Sequence, residues 1–190
     1  GWRSYLQRAG LATATVNKSC GIAKQFMRAA ERSKVVDANP FAALASSVKG
    51  NRARFYFVTE NEGQRVLDAC PDTEWRLLFA LARYGGLRVP SEALRLTWDD
   101  VHWGHDHEAG RLWVHASKTE HHDDGGIREV PLFPEVRRHL LDAYEQAEPG
   151  TEYVITRYRC SAVNLRTQLH RIIRKAGLTP WPKLWQNLRS

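Results

Sequence analysis

Tyr84-Gly85-Gly86-Leu87-Arg88-Val89-Pro90-Ser91-Glu92-Ala93-Leu94 is the stretch that decides how this chain is read. Just before it, residues 73–84 carry Trp75, Leu78, Phe79 and Ala82 at helical spacing. The Gly85-Gly86 pair then supplies a helix stop, because glycine accepts the left-handed backbone that ends a helix. Arg88 stands directly past the stop, and Ser91 is placed to cap a short helix carrying Leu94 and Leu96. An arginine fixed at the junction of two ordered elements is a positive charge set in place before any ligand arrives.

Working outward, Thr59-Glu60-Asn61-Glu62 is a capping box that starts a helix bearing Val66, Leu67 and Cys70. Downstream, Arg111–His115 and Ile127–Leu132 read as two strands joined by the polar stretch 117–126, which holds Lys118. Pro134 opens a helix to about Gln146, with Val136, Leu140, Leu141 and Tyr144 facing inward. Tyr153–Ile155 reads as a short strand. Ser161 caps a helix with Leu165, Leu169, Ile172, Ile173 and Ala176 on one face and Gly177 at its end. Upstream, Thr13–Lys34 spaces Val16, Cys20, Ala23, Phe26, Met27 and Ala30 along one helical face, and Phe41–Val48 reads as a second, short helix. The basic run 49–54 lacks a core pattern and reads as a linker. The expected organisation is a helical domain over 1–54 and a second domain over 55–190, mainly α with a small antiparallel hairpin (α+β).

The 190 residues have the apolar and charged content of an ordinary globular protein, and no apolar run approaches the roughly 18 residues that span a bilayer. Cys20, Cys70 and Cys160 are widely spaced, which suits reduced thiols in a cytosolic protein rather than a disulfide framework. The formal charge is +7, and its distribution is uneven: residues 1–56 net +8, residues 57–152 net −9 and residues 153–190 net +8. Basic flanks of this kind suit a polyanion. On the N-terminal side they present Lys18, Lys24, Arg28, Arg32, Arg52 and Arg54. On the C-terminal side they present Arg166, Arg171 and Arg174.

With these pieces in order, the chain resembles the tyrosine recombinases of the phage-integrase superfamily. Three segments carry the resemblance. Gly86-Leu87-Arg88 with Ser91-Glu92-Ala93-Leu94-x-Leu96-x-Trp98-x-Asp100-Val101 is similar to the family's first arginine box. Ser117-Lys118-Thr119 followed by Arg128-Glu129-Val130-Pro131-Leu132 is similar to its lysine hairpin and next strand, and Gln186-Asn187-Leu188-Arg189 to its second arginine box. Three departures stand out. Glu92 lies four residues after Arg88, where the family's acidic partner usually lies three after. Gln186 stands where histidine is usual. The family's nucleophilic tyrosine follows the second arginine box, whereas this sequence stops at Ser190.

The resemblance implies a core-binding domain and most of a catalytic domain that together clamp double-stranded DNA, in a prokaryotic or phage-derived mobile-element recombinase that acts as a homotetramer without a cofactor or metal. Arg88 and Arg189 would hold the non-bridging oxygens of a phosphodiester in fork geometry. Lys118 would protonate the leaving 5′-oxygen, Gln186 would orient the phosphate, and Glu92 would support Arg88. A tyrosine would form a 3′-phosphotyrosyl intermediate, so residues 1–190 are expected to bind DNA without cutting it. Two other classes stay open. One is a DNA-binding module without chemistry. The other is a metal-dependent hydrolase built on His102, His105, His107, His115, His121 and His122 with Asp106, Asp123 and Asp124, although no regular ligand spacing appears among them.

Overall fold

Helix α4, Thr73–Arg83, has seven buried residues, Trp75, Leu77, Leu78, Phe79, Ala80, Leu81 and Ala82, and these go round it rather than along one stripe. Such a helix is stable only when covered on all sides. The computed structural model describes residues 1–48, 50–104, 109–116, 126–160 and 162–189, and in it α4 is the centre of the main core. It packs against α5 (Pro134–Gln146), α3 (Glu60–Ala69) and the short turn Asn187–Arg189, while α3 also packs on α6 (Leu165–Lys175). A three-stranded antiparallel sheet, β1 (Val101–His102), β2 (Arg111–His115) and β3 (Ile127–Pro131), completes this part in the order β1-β2-β3. Leu112 and Val114 of β2 pair with Val130 and Arg128 of β3, and Leu112, Val114 and Val130 are buried. The architecture is mainly α with one small antiparallel sheet.

The chain divides into two compact units, Gly1–Ala53 and Arg54–Ser190. In the first, α1 (Trp2–Arg8) and α2 (Thr13–Arg32) close on a small core of Leu6, Val16 and Cys20, flanked by Trp2 and Leu44. α1 lies ahead of the elements expected from the sequence, which begin at Thr13. The stripe expected along α2 is covered only in its N-terminal half, and Phe26 is left 73% exposed. No helix forms over 41–48. The carbonyls there are taken instead by side chains of α1 and α2: Arg3 donates to Ala45 (2.6 Å), Lys24 to Leu44 (2.8 Å) and Asn17 to Ser47 (2.7 Å).

Helix boundaries follow local chemistry. Thr59 and Glu62 form the expected reciprocal capping box of α3, and Asp72 caps α4 by accepting from the Trp75 N–H at 2.9 Å. At the other end of α4, the Leu87 N–H reaches the Leu81 carbonyl at 3.0 Å across Gly86, whose φ is +66°. The short helix expected after Ser91 does not form. Residues 89–95 make consecutive turns, because their N–H groups reach back unevenly, Glu92 and Ala93 both to the Arg88 carbonyl, Leu94 to Pro90 and Arg95 to Glu92, rather than in one regular ladder. Tyr153 makes only an isolated bridge with Thr97. Asn164, rather than Ser161, caps α6, accepting from the Thr167 N–H at 3.0 Å; Ser161 lies outside the described residues. Tyr144 and Leu141, expected inward, are both exposed, Tyr144 packing edge-on against Trp98 and Trp103.

The turn after α4 sets where Arg88 stands, so its glycines are testable. A Cβ at Gly86 meets nothing within 4 Å, so Gly86→Ala is expected to cost only the positive-φ penalty, about 1 kcal/mol. A Cβ at Gly85 meets the Leu81 carbonyl oxygen at 2.9 Å, so Gly85→Ala should cost more. Urea unfolding of the two variants checks the order; equal costs would contradict it.

Candidate functional site

Glu92 is 2% exposed, and a carboxylate so deeply placed must be paired to remain charged. Both of its oxygens are occupied. One accepts the Arg88 backbone N–H at 2.9 Å and Nη2 of Arg128 at 2.8 Å, and the other accepts Nη1 of Arg88. Arg128 Nη2 also lies 3.4 Å from the Gly86 carbonyl oxygen. Burial by itself pushes the Glu92 carboxyl up, but the Arg88 N–H and the two guanidinium groups outweigh it and hold the group below its ordinary 4.5. The turn 89–95 thus wraps around one ionised carboxylate that grips the base of the Arg88 side chain.

Arg189 arrives from the far end of the chain. Leu188 is fully buried, Arg83 of α4 donates to its carbonyl at 3.2 Å, and the Asn187 amide donates to the carbonyls of Arg54 (3.0 Å) and Pro182 (2.6 Å). These bonds anchor the Asn187–Arg189 turn under α4 while Arg189 itself stays open to solvent on one side. The surrounding protein, and then the positive charge of Arg88, lower the basicity of Arg189; Glu92 opposes this and Arg128 adds to it. Two guanidinium groups bind one carboxylate, and Arg189 is near enough to feel the charges of Arg88, Glu92 and Arg128, so these four described residues carry a formal excess of two positive charges. No described residue hydrogen-bonds the Arg189 guanidinium. A site of this kind is most stable when an anion with several acceptor oxygens lies between the arginines.

Residues 56–187 match the model of the phage integrase family. The chain belongs to that family. Among solved structures, a lambda integrase dimer bound to a COC' core site superposes with a TM-score of 0.68 at 22% identity, covering 98% of this chain and 67% of that one. A lambda integrase tetramer bound to a Holliday junction gives 0.67 at 22% identity, over 98% of this chain and 55% of that one. The Tn1549 transposon integrase, in complex with circular intermediate DNA, gives 0.64 at 17% identity, over 99% and 67%. At such identities the likeness is one of fold. The integrase-family chain described here spans 55% to 67% of the length of these proteins. No curated protein sequence matches it significantly.

Within this integrase fold the expected site residues divide clearly. Arg88 binds Glu92, and Arg189 lies within electrostatic reach of both. Lys118 lies outside the described residues, as do His105, His107, His121, His122, Asp106, Asp123 and Asp124. Gln186 is exposed, and its backbone carbonyl accepts the Arg189 N–H at 3.3 Å; among the described residues nothing joins its side chain to the arginines. The buried amide of that segment is Asn187 instead. Lys18, Arg28, Arg32, Arg52 and Arg54 are exposed in sequence order, as are Arg166, Arg171 and Arg174 on α6, but Lys24 is part-buried on the Leu44 carbonyl. Of the remaining histidine cluster, His102 stacks on Trp113 and His115 pairs with Asp100 at 3.1 Å. Among the described residues no group of three His, Cys, Asp or Glu side chains is arranged to hold a metal ion.

Sequence reasoning missed Arg128. The signal was present: Val130 is a core position of β3, and strand alternation puts residue 128 on the same face. A charged residue on the inward side of a strand implies a buried partner.

Because Glu92 is held below its ordinary value, it stabilises the fold above that value, and the contribution is lost as pH falls through the lower, folded one. Glu92→Gln should therefore cost about 2 kcal/mol at pH 7, allowing for the part-exposed arginines. The gap to the unsubstituted chain should shrink as pH drops below 4.5. Urea midpoints at neutral and acid pH read this directly; a gap independent of pH would contradict it.

Proposed function

We propose that this chain carries the phosphate-holding core of a site-specific DNA recombinase that breaks and rejoins strands through a 3′-phosphotyrosyl intermediate. The observation that carries the reading is the pairing of Arg88 and Arg128 on the buried Glu92, with the charge of Arg189 within reach of all three. A phosphodiester brings one negative charge, and the pentacovalent transition state of its cleavage brings a second. The cluster matches the transition state better than the ground state, which is the condition for accelerating a reaction.

In this reading Arg88 and Arg189 donate to the non-bridging oxygens of the scissile phosphate. Arg88 keeps only one side-chain nitrogen on Glu92 and is 39% exposed, which leaves the other edge of its fork for ligand. Lys118 protonates the leaving 5′-oxygen, and Gln186, as an amide, orients the phosphate without carrying a proton. The guanidinium groups supply the positive charge that such a step needs. The nucleophile is a tyrosine phenolate, and Tyr158 does not suit the part. Its hydroxyl donates to Asp72 at 2.5 Å, and burial, with that bond, pushes its phenol up to about 12.

Double-stranded DNA is the partner, held by phosphate contacts to Lys18, Arg28, Arg32, Arg52, Arg54, Arg166, Arg171 and Arg174. Gly1–Ala53 acts as the core-binding domain and Arg54–Ser190 as the catalytic one, with the intact protein working as a tetramer on two DNA sites. The relatives described above in complex with DNA support this. Their association with a phage and a transposon supports a mobile-element role in a prokaryotic cell, at the nucleoid. Non-catalytic DNA binding is the second reading, favoured by the engagement of Tyr158 with Asp72.

Arg88→Ala in the intact protein separates the two. Loss of a preorganised donor should lower strand cleavage by about 100- to 1000-fold. Non-specific duplex binding, spread over many phosphate contacts, should barely change and should fall steeply with salt in both forms. Unchanged cleavage by the variant would refute the role given to Arg88.

A further inference from the structure

We infer that Arg128 is a positioning residue: it acts through Glu92 to set the Arg88 guanidinium for phosphate, and does not itself contact the phosphate. The inference rests on the reading of the arginine cluster as a phosphate site.

The two arginine side chains are equally open to solvent, at 39% and 40%, and differ in what their nitrogens hold. Arg128 Nη2 is committed to the protein twice over, at 2.8 Å from the Glu92 carboxylate and 3.4 Å from the Gly86 carbonyl oxygen. Those acceptors bracket Arg88 in sequence, one just before it and one at the far side of the turn. Arg88 uses its backbone N–H and one side-chain nitrogen on the same carboxylate. Glu92 is therefore the shared hinge, with Arg88 on one side and β3 on the other. Without Arg128, one Glu92 oxygen keeps only the Arg88 backbone N–H. The buried carboxylate would then draw the Arg88 guanidinium inward to satisfy itself, at the expense of the edge offered to ligand.

The strand explains why this residue comes from β3. Residue 128 faces inward opposite Val114, so its guanidinium is delivered beneath the turn 89–95 by a paired strand. That pairing leaves little freedom along the β3 axis. β3 is thereby tied through one ion pair to the turn that carries Arg88.

A double-mutant cycle on the 190-residue chain with inorganic phosphate as the probe tests this. Affinity is read from the phosphate dependence of thermal unfolding for the unsubstituted chain, Arg88→Ala, Arg128→Ala and the double variant. The expected result is that each single variant weakens phosphate binding about tenfold, as for loss of one charge-assisted contact. The double variant should bind no more weakly than Arg88→Ala alone, because Arg128 works only through Arg88. Arg128→Lys keeps the charge on a side chain one bond shorter, which draws the nitrogen back from Glu92 and the Gly86 carbonyl. It should fold and still bind weakly, and it completes the cycle under the same criteria if the alanine variant does not fold. Multiplicative losses in the double variant would overturn the inference, making Arg128 an independent phosphate contact. Undiminished binding by Arg128→Ala and Arg128→Lys would overturn it too. If the unsubstituted chain shows no phosphate dependence, the phosphate-site reading and the inference fall together.

Discussion

One buried carboxylate organises this molecule's chemistry. Glu92 is ionised within the protein because Arg88 and Arg128 surround it, and those arginines stay close to one another because Glu92 lies between them. Remove the carboxylate and three like charges face each other across the site. Remove the arginines and an unpaired charge is left in the core. Such mutual dependence adds little stability over an apolar core, since buried ion pairs roughly break even against hydrophobic packing. It is better understood as a device for holding positive charge still, ready for an anion.

The rest of the fold delivers side chains to that point. Helix α4 is the common support: its glycine stop launches the Arg88 turn, and its Arg83 holds the Leu188 carbonyl just before Arg189. The sheet contributes Arg128 from β3. Segments a hundred residues apart thus converge on one largely buried helix. The apolar packing of Trp75, Leu78, Phe79 and Leu81 sets the precision with which they meet. A preorganised site depends on this rigidity, because donors that had to reorganise during the reaction would give much of their advantage away.

How much of this could be read from the residues alone follows from the range of the forces involved. Local signals were reliable: the Thr59–Glu62 capping box, the Gly85-Gly86 stop, Pro134 opening α5 and the apolar face of α6 all appear in the structure. Arg88, Glu92 and Arg189 were recognisable through motif resemblance; Arg88 does bind Glu92, and Arg189 lies within electrostatic reach of both. Long-range choices were not legible. Nothing local says that Lys24 bonds a carbonyl twenty residues away, or that Arg128 meets Glu92 across 36 positions. The polar pair Gln186-Asn187 shows the same limit: either amide could turn inward, and tertiary packing chose Asn187. The turns at 89–95 look like a helix from the local capping pattern of Ser91, whereas the Glu92 carboxylate is held by the Arg88 N–H and by Arg128 from a distant strand.

The most direct test of the central claim is a crystal structure of the chain grown with orthovanadate, which can adopt the trigonal-bipyramidal shape of the cleavage transition state. The account predicts an oxyanion bridging the guanidinium groups of Arg88 and Arg189 at about 2.7–2.9 Å, with Arg128 still turned to Glu92. Vanadate bound only to the exposed basic residues of α2 or α6, with nothing between Arg88 and Arg189, would contradict it.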